Sequence, residues 1–295
     1  MTALIVHGGA GDTTPDRHDR LRVGVRAAAD AGHRVLAAGG AALDAVTAAV
    51  RVLEDDPEFN AGLGSALTRD GTVETDASIM DGASQRVGAV AAVPELGNAI
   101  ALARAVLDRG EHVLLAGPAA WQFAAEVGIA PAGADALITD RARARLAAKL
   151  AGASGGTVGA VARDRAGRYA AATSTGGIVG KRPGRVGDSP IAGAGTWADA
   201  RCAISATGDG EAIVRVALAH EIAIGVRAGH PLRFAIQAAF GELVRVTGGS
   251  AGVIAVDDRG VIGLQLSPTM PIAWIEVDAR GERRGDTMGE RCSAS

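Results

Sequence analysis

Residues 155–162, Gly-Gly-Thr-Val-Gly-Ala-Val-Ala, lie just past the middle of the 295-residue chain and join two stretches of different character. Residues 158–162 are apolar and are closed by the polar pair Arg163 and Asp164, which predicts a short buried strand. Residues 147–156 lack that pattern and end in Ala-Gly-Ala-Ser-Gly-Gly, the composition of a flexible linker. Thr157 therefore stands where a flexible linker meets a rigid strand.

The position of Thr157 gives it a chemical option. If the chain were cut between Gly156 and Thr157, the threonine would carry a free α-amine beside its own hydroxyl. An N-terminal amine is a recognised base for a threonine nucleophile, and its reference pKa of about 7.7–8.0 lies close to neutral pH. Taken alone, however, the octapeptide is explained more simply by a β-branched residue that opens a strand.

The composition is that of a soluble globular protein. The chain is 48% hydrophobic with a formal net charge of −3, so nothing in it favours binding to nucleic acid or to an anionic membrane. Its apolar runs are too short for a transmembrane helix, and its first residues lack the basic and apolar regions of a signal peptide. Its two cysteines, Cys202 and Cys292, form no disulfide framework, and we therefore expect a cytoplasmic protein.

Helical and strand patterns are interspersed along the chain. Residues 158–163 and 168–174 flank a turn, and such hairpins predict antiparallel pairing rather than βαβ units. Residues 211–228 read as one amphipathic helix, and residues 279–295 have the polarity of a frayed tail. The pattern predicts a single α+β domain over residues 1–295, in which two antiparallel sheets stack between helical layers.

Three short motifs match known patterns without their structural context. Residues 152–156 fit the G-x-S-x-G elbow with Ser154 as nucleophile, but that elbow leads from a strand into a helix, whereas here a strand follows. Lys181 follows a glycine as in a P-loop, yet the first glycine and the Ser/Thr of that motif are missing. His220 lacks the second histidine of a zinc protease motif. We predict no metal site built on histidine or cysteine.

Two segments that follow Thr157 carry groups that a threonine nucleophile would need. Thr175 ends the strand that pairs with the Thr157 strand, so the hairpin can bring the Thr175 hydroxyl back to Thr157. A polar residue at the end of a strand is also common without any such role, and this alternative explains Thr175 equally well. Arg185 and Asp188 lie three residues apart on a loop bounded by glycine and proline. Together they fit the α-carboxylate and α-ammonium of an amino acid, the alternative being an exposed ion pair.

Two further segments add an anion site and a cation site. Residues 207–211, Thr-Gly-Asp-Gly-Glu, lie where a strand meets a helix, and the Gly208 N–H with the Thr207 hydroxyl could form an oxyanion hole. The alternative is a helix N-cap with acidic residues in the first turn. The backbone carbonyls of the loop at residues 53–63 could surround a hard monovalent cation, although a loop without an ion is equally compatible with the sequence.

Together these segments resemble the plant-type L-asparaginases/isoaspartyl peptidases of the N-terminal-nucleophile hydrolase superfamily. The resemblance covers nearly the whole chain. It rests on HGGAG at residues 7–11, FNAG at 59–62, DASIMDG at 76–82, TVGAV at 157–161, TSTGG at 173–177, GRVGDSP at 184–190 and TGDGE at 207–211. Several motifs in one order are far more specific than any one of them, so Thr157 is expected to be the nucleophile.

The resemblance implies a four-layer αββα sandwich that cleaves itself into an α chain, residues 1–156, and a β chain, residues 157–295, usually as a dimer of such heterodimers. It implies hydrolysis of L-asparagine and β-aspartyl dipeptides without a cofactor for the chemistry. The residues that it assigns to catalysis are Thr157, Thr175, Thr207, Gly208 and Asn60. Those that it assigns to substrate binding are Arg185, Asp188, Gly208 and Gly210. A structural sodium ion is expected at the backbone carbonyls of Leu53, Glu54, Asp56, Phe59, Ala61 and Leu63.

Two departures from the family pattern bear on activity. Gly156 stands where many relatives have aspartate, so no carboxylate there can assist cleavage, and Asp209 stands where asparaginase relatives often carry threonine, which places a negative charge beside the substrate. Three alternatives stay open: a glycosylasparaginase, an amino-acid-binding protein that keeps Arg185 and Asp188 but never cleaves, and a serine hydrolase that uses Ser154.

Overall fold

The computed structural model describes residues 1–133, 135–149 and 156–292. Its helices are α1 (His18–Ala37), α2 (Ala42–Asp55), α3 (Ala99–Arg109), α4 (Ala120–Glu126), α5 (Asp140–Lys149), α6 (Gly210–Val216), α7 (Leu218–Arg227) and α8 (Leu232–Thr247). Its strands are β1 (Thr2–His7), β2 (Glu74–Asp81), β3 (Val87–Pro94), β4 (Leu114–Ala116), β5 (Val158–Arg163), β6 (Tyr169–Thr175), β7 (Thr196–Ala198), β8 (Ala203–Gly208), β9 (Ala251–Val256), β10 (Val261–Gln265), β11 (Ile272–Asp278), β12 (Gly281–Thr287) and β13 (Glu290–Arg291).

The strands form two sheets that are almost entirely antiparallel. The larger sheet has the order β12-β11-β1-β5-β6-β2-β3-β4, and the smaller has the order β13-β10-β9-β8-β7. Within these sheets only the short end strands β4 and β13 pair in parallel with their neighbours. The hairpins therefore predicted the sheet type correctly.

Alternation along the strands divides the protein into layers. On β5, Val158, Ala160 and Ala162 face the core shared with α1, α2 and α3, whereas Val161 faces the core between the two sheets. The far face of the smaller sheet packs against α6, α7 and α8 through a third apolar core. Each sheet is thus covered by helices on one side and by the other sheet on the other. The predicted α+β fold, a four-layer αββα sandwich, is confirmed.

The same alternation places the predicted nucleophile. Because side chains alternate along a strand, Thr157 at the head of β5 shares the inward face of Val161. Thr175 at the end of β6 shares the inward face of Ala171, and the register of the two strands pairs Val158 with Ser174. Both hydroxyls therefore lie between the sheets, at the same end of the β5–β6 hairpin.

Two expectations about secondary structure are wrong. Residues 211–228 are not one helix, since Ala217 takes a left-handed conformation (φ 48°) that separates α6 from α7. The described part of the predicted frayed tail, residues 279–292, is ordered instead, because β12 pairs along the whole of β11 and β13 pairs with β10. The sequence of β12 is polar because it is an edge strand, where charged side chains are typical.

Predictions around the linker are tested only in part. Helix α5 extends to Lys149, so the first residues of the predicted linker are helical. Residues 150–155, which include Ser154 of the G-x-S-x-G match, lie outside the described residues. Within the described part of the chain, none of the helices combines the length and apolarity needed to cross a membrane.

Candidate active site

Thr157 and Thr175 lie in contact at the buried end of the β5–β6 hairpin. Their side chains are 6% and 3% exposed, and the Thr157 hydroxyl donates to Thr175 Oγ1 over 3.3 Å. Thr175 Oγ1 also accepts from the backbone N–H of Gly177 at 2.9 Å. The Thr175 hydroxyl itself donates to the carbonyl of Gly156 at 3.1 Å. Thr175 therefore links the Thr157 hydroxyl to the peptide bond that precedes it.

The carbonyl of Gly156 receives a second donor from the loop before β2. Asn60 Nδ2 donates to this carbonyl and also to the Gly177 carbonyl, the latter at 2.6 Å. The Asn60 amide is fixed in orientation because its Oδ1 accepts from the backbone N–H of Ala66 at 2.6 Å. The bond between Gly156 and Thr157 thus carries a carbonyl polarised by two side-chain donors, beside the Thr157 hydroxyl.

The segment that follows β1 closes over Thr157. Gly9 has a φ of 105°, and a Cβ there would lie 3.0 Å from the Thr157 carbonyl oxygen, so only glycine fits this approach. His7 is fully buried and its Nε2 lies 3.0 Å from Ser205 Oγ. Burial lowers the pKa of His7 to about 3, so the imidazole is neutral at physiological pH. A Cβ at Gly159 would overlap His7 Nε2 and Ser205 Oγ. Only glycine fits there, so this face of β5 carries no side chain next to Thr157.

A small pocket of about 10 Å³, the size of a single water site, opens beside Thr157. Its lining includes Thr157, Thr175, Arg185, Asp188, Gly208 and Gly210. Asp188 is 4% exposed, and its Oδ2 has no hydrogen-bond partner among the described residues. Burial raises the pKa of Asp188 to about 7, against the opposing effect of Arg185. A cationic ligand in this pocket would supply the partner that this carboxylate lacks.

Arg185 is held by a carboxylate from the start of α6. Its Nε and Nη2 donate to the two carboxylate oxygens of Glu211 at 2.9 and 2.6 Å, a bidentate pair. A Cβ at Gly187 would lie 2.7 Å from Nη1 and one at Gly210 would lie 2.9 Å from Nη2. The two glycines therefore leave room around Nη1 and Nη2, the outer edge of the guanidinium. This edge can still bind a second carboxylate. This pairing of Glu211 was not predicted from the sequence, because its partner lies 26 residues away.

The predicted oxyanion groups sit at the same end of the smaller sheet. Gly208 lines the pocket with a φ of 133°, and a Cβ there would lie 2.6 Å from the Ser250 carbonyl. Thr207 is fully buried, and its Oγ1 accepts from the backbone N–H of Ala10 at 3.1 Å, which leaves its O–H free to donate elsewhere. Asp209 instead caps α6 by accepting from the Ala212 N–H at 3.3 Å and is exposed. Its side chain therefore has the helix-capping role that the sequence left open.

The loop at residues 53–63 carries the six backbone carbonyls that were predicted to hold a cation. Leu53 and Glu54 lie in the last turn of α2, whose terminal carbonyls have no partner within the helix. A Cβ at Gly62 would lie 2.3 Å from the Glu54 carbonyl oxygen, and one at Gly64 would overlap that of Phe59. Among the described residues, no group of three or more His, Cys, Asp or Glu side chains could hold a metal. The carbonyls of Asp56 and Ala61 already accept from the N–H groups of Phe59 and Gly64, both at 3.1 Å, so a cation bound by this loop would share these two oxygens.

Of the residues predicted for the site, the structure brings Thr157, Thr175, Asn60, Arg185, Asp188, Gly208 and Gly210 around one point. Asn60 belongs to the loop at residues 53–63, so the predicted cation loop reaches this point through that residue. A buried threonine hydroxyl, a polarised carbonyl and a buried carboxylate meet at the head of β5, an arrangement that suits a hydrolase.

Comparison with known proteins places this hydrolase in a family. The family model described as Asparaginase matches residues 1–282, and the chain therefore belongs to the asparaginase family. It is 45% identical to the isoaspartyl peptidase/L-asparaginase of Homo sapiens over 92% of each chain. It is also 42% identical to the isoaspartyl peptidase of Salmonella typhimurium, over 92% of this chain and 94% of that protein.

Proposed function

We propose that this chain is an amidohydrolase that converts L-asparagine to L-aspartate and ammonia and hydrolyses isoaspartyl dipeptides. We further propose that it is a plant-type, N-terminal-nucleophile enzyme whose nucleophile is Thr157. The relatives named isoaspartyl peptidase/L-asparaginase support the reaction. The observation that carries the nucleophile is the Thr157 hydroxyl, which donates to Thr175 beside a pocket that contains Arg185 and Asp188.

The first reaction in this proposal is self-cleavage. The Thr157 hydroxyl attacks the carbonyl carbon of Gly156, whose oxygen accepts from Asn60 and Thr175 while it gains negative charge. The C–N bond breaks, the Thr157 nitrogen takes up a proton, and an ester joins Gly156 to the threonine oxygen. Water hydrolyses that ester. The products are residues 1–156, which end in a new carboxylate, and residues 157–295, which begin with a free α-amine.

The second reaction uses the end that the first creates. The α-amine of Thr157 takes the proton of its own hydroxyl, whose oxygen attacks the side-chain amide carbonyl of asparagine or the β-linked carbonyl of an isoaspartyl dipeptide. Gly208 and Thr207 hold the oxyanion, a type of contact worth about 2.7–4 kcal/mol. Ammonia or an amino acid leaves with the proton. Water then hydrolyses the β-aspartyl ester and releases L-aspartate.

Arg185 and Asp188 bind the part that both substrates share. The outer edge of the guanidinium binds the α-carboxylate, and the Asp188 carboxylate binds the α-ammonium. The unpaired Oδ2 of Asp188 supports this assignment, because a buried carboxylate oxygen without a partner costs free energy that an ammonium ligand would offset. One site can therefore accept either substrate.

The sodium ion and the assembly belong to the same proposal. The carbonyls of Leu53, Glu54, Asp56, Phe59, Ala61 and Leu63 would hold the ion, which would supply a fixed charge that stiffens the loop carrying Asn60. The cleaved chains would form a dimer of αβ heterodimers. A cytoplasmic location rests on the low cysteine content.

Substitution of Thr157 tests the proposal. Thr157→Ala should yield one uncut 295-residue chain without activity on asparagine or β-Asp-Leu, because both reactions use the same oxygen. Thr157→Ser is the matched control, since it keeps a hydroxyl and should be cut and active, if more slowly. Hydrolysis of β-Asp-Leu by purified Thr157→Ala at a rate near that of the wild type would refute the proposal.

A further inference from the structure

A second and larger cavity borders the other side of Gly156. Its volume is about 580 Å³, and its lining includes Gly9, Asn60 and Gly156. Gly156 also lines the small pocket that contains Asp188, so the two cavities meet at that glycine. Three basic side chains, Arg17, Arg141 and Arg145, also line the large cavity, and the part that they line is here called the arginine cleft.

Positive charge exceeds negative charge in the arginine cleft. Glu58 is shared between Arg17 at 2.7 Å and Arg141 at 2.8 Å. Among the described residues that line the cleft, the other carboxylate is that of Asp12, which is exposed. Burial lowers the pKa of Arg141 to about 10, and the charge of Arg17 adds to that effect. The guanidinium is still charged at neutral pH, and an anion in the cleft would relieve its repulsion from Arg17.

The cleft is built on fixed elements. Arg141 and Arg145 lie one turn apart on α5, so their side chains leave the same face of the helix. The helix is anchored by Ala142, which is 4% exposed and packs in a cluster with Leu67, Val73 and Leu137. The side chains of Arg17 and Arg141 are 31% and 29% exposed, so a ligand can reach them while they stay partly shielded from water.

The two proposed substrates differ in the part that leaves. Asparagine loses ammonia, whereas an isoaspartyl dipeptide loses a whole amino acid that carries a free α-carboxylate. The small pocket is lined by the groups proposed to bind the aspartyl part, so the leaving residue must lie outside it. The adjoining space, across Gly156, is the cavity that carries the arginine cleft.

We propose that the arginine cleft binds the α-carboxylate of the leaving residue of an isoaspartyl dipeptide. This subsite rests on the proposed function and adds to it a preference for dipeptides with a free C-terminus. Guanidinium groups bind carboxylates through charge-assisted, bidentate hydrogen bonds, which suits this ligand. Self-cleavage would create a carboxylate at Gly156 that could occupy the arginine cleft instead. The experiment distinguishes this carboxylate from that of the substrate.

The wild-type enzyme gives the first comparison. β-Asp-Leu and its C-terminal amide have the same shape but differ by one charge at the leaving residue. After complete processing has been checked by mass, kcat/KM should be about 10-fold higher for the acid, which is the usual size of a hydrogen bond to a charged group. Equal values for both substrates would overturn the subsite alone and leave the cleft to the Gly156 carboxylate. Failure to hydrolyse either substrate would instead count against the proposed function.

Two variants on α5 test whether Arg141 causes the preference for the acid over the amide. Arg141→Gln should reduce the acid-to-amide ratio from about 10 to about 2. Arg143→Gln is the matched control, because Arg143 lies on the same helix but pairs with Asp140 on the exposed surface, and it should keep the wild-type ratio. Equal ratios in the two variants would overturn the proposal. If Arg141→Gln is not processed, Arg17→Gln is measured in its place, and the same ratios decide.

Discussion

The two sides of Thr157 differ in how completely their polar groups are paired. On the side of its own peptide bond, the Gly156 carbonyl already accepts from Asn60 and Thr175. On the side of the small pocket, Asp188 is buried with one carboxylate oxygen unpaired among the described residues. The first side is complete because its reactant, the peptide bond, is part of the chain. The second is incomplete in the way expected of a site that takes its partner from solution.

This contrast predicts that substitutions on one side of Thr157 impair one reaction and leave the other unchanged. Groups on the peptide side should control self-cleavage, and groups on the pocket side should control substrate affinity. The largest effect is expected from substitution of Asn60, on self-cleavage, and the smallest from substitution of Glu211, on KM.

Asn60→Ala should slow self-cleavage by a factor of about 10²–10³, because it removes one of the two donors to the Gly156 carbonyl. The fraction of cut chain is followed over time by denaturing electrophoresis of freshly purified protein. Asn98→Ala is the control, since Asn98 bonds to Asp55 on the exposed surface and should be cut at the wild-type rate. Equal cleavage rates for Asn60→Ala and wild type would remove Asn60 from the reaction.

Asp188→Asn should leave self-cleavage unchanged but weaken inhibition by L-aspartate on the order of 100-fold, because the ammonium loses its charged partner. The inhibition constant is measured with asparagine as substrate. A variant that binds L-aspartate like the wild type would show that the ammonium lies elsewhere.

The Asp188 carboxylate also predicts that inhibition by L-aspartate depends on pH. Burial raises the pKa of Asp188 to about 7, so the carboxyl gains a proton as the pH falls through that value and no longer attracts the ammonium. The inhibition constant of L-aspartate should therefore rise about 10-fold per pH unit below 7 in wild type. The slope should be absent in Asp188→Asn, and a slope that survives in the variant would assign the titration to another group.

Glu211→Gln should raise KM for asparagine by no more than about 5-fold and leave kcat unchanged. Glu211 holds the inner edge of Arg185, yet its side chain is 60% exposed, and exposed pairs contribute under about 1 kcal/mol. Initial-rate kinetics on the cut enzyme measure both constants. A fall in KM would mean that Glu211 competes with the substrate carboxylate instead of positioning the arginine.

The sequence predicted those parts of the protein that follow from local pattern. The hairpin at residues 158–174 could be deduced from alternation, and the parity of its strands places Thr157 opposite Thr175. The resemblance supplied Asn60 and Gly208. The structure adds the contact of Asn60 with a carbonyl 96 residues away, which no local pattern encodes.

The failures also have physical reasons. The break at Ala217 carries no glycine or proline, so the apolar periodicity continues through it. Strand β12 is polar because it lies at a sheet edge, and its charges pair across the sheet, as Arg283 does with Glu276 at 3.3 Å. The arginine cleft joins residues 17, 58 and 141, which become neighbours only when α5 packs against the loop before β2.

The most direct test of the account is the intact mass of the active wild-type protein under denaturing conditions, with sequencing of each N-terminus. The account predicts two polypeptides, residues 1–156 and 157–295, the second of which begins with Thr157, and activity that rises in proportion to the cut fraction. Full activity in a preparation that contains only the unbroken 295-residue chain would contradict it.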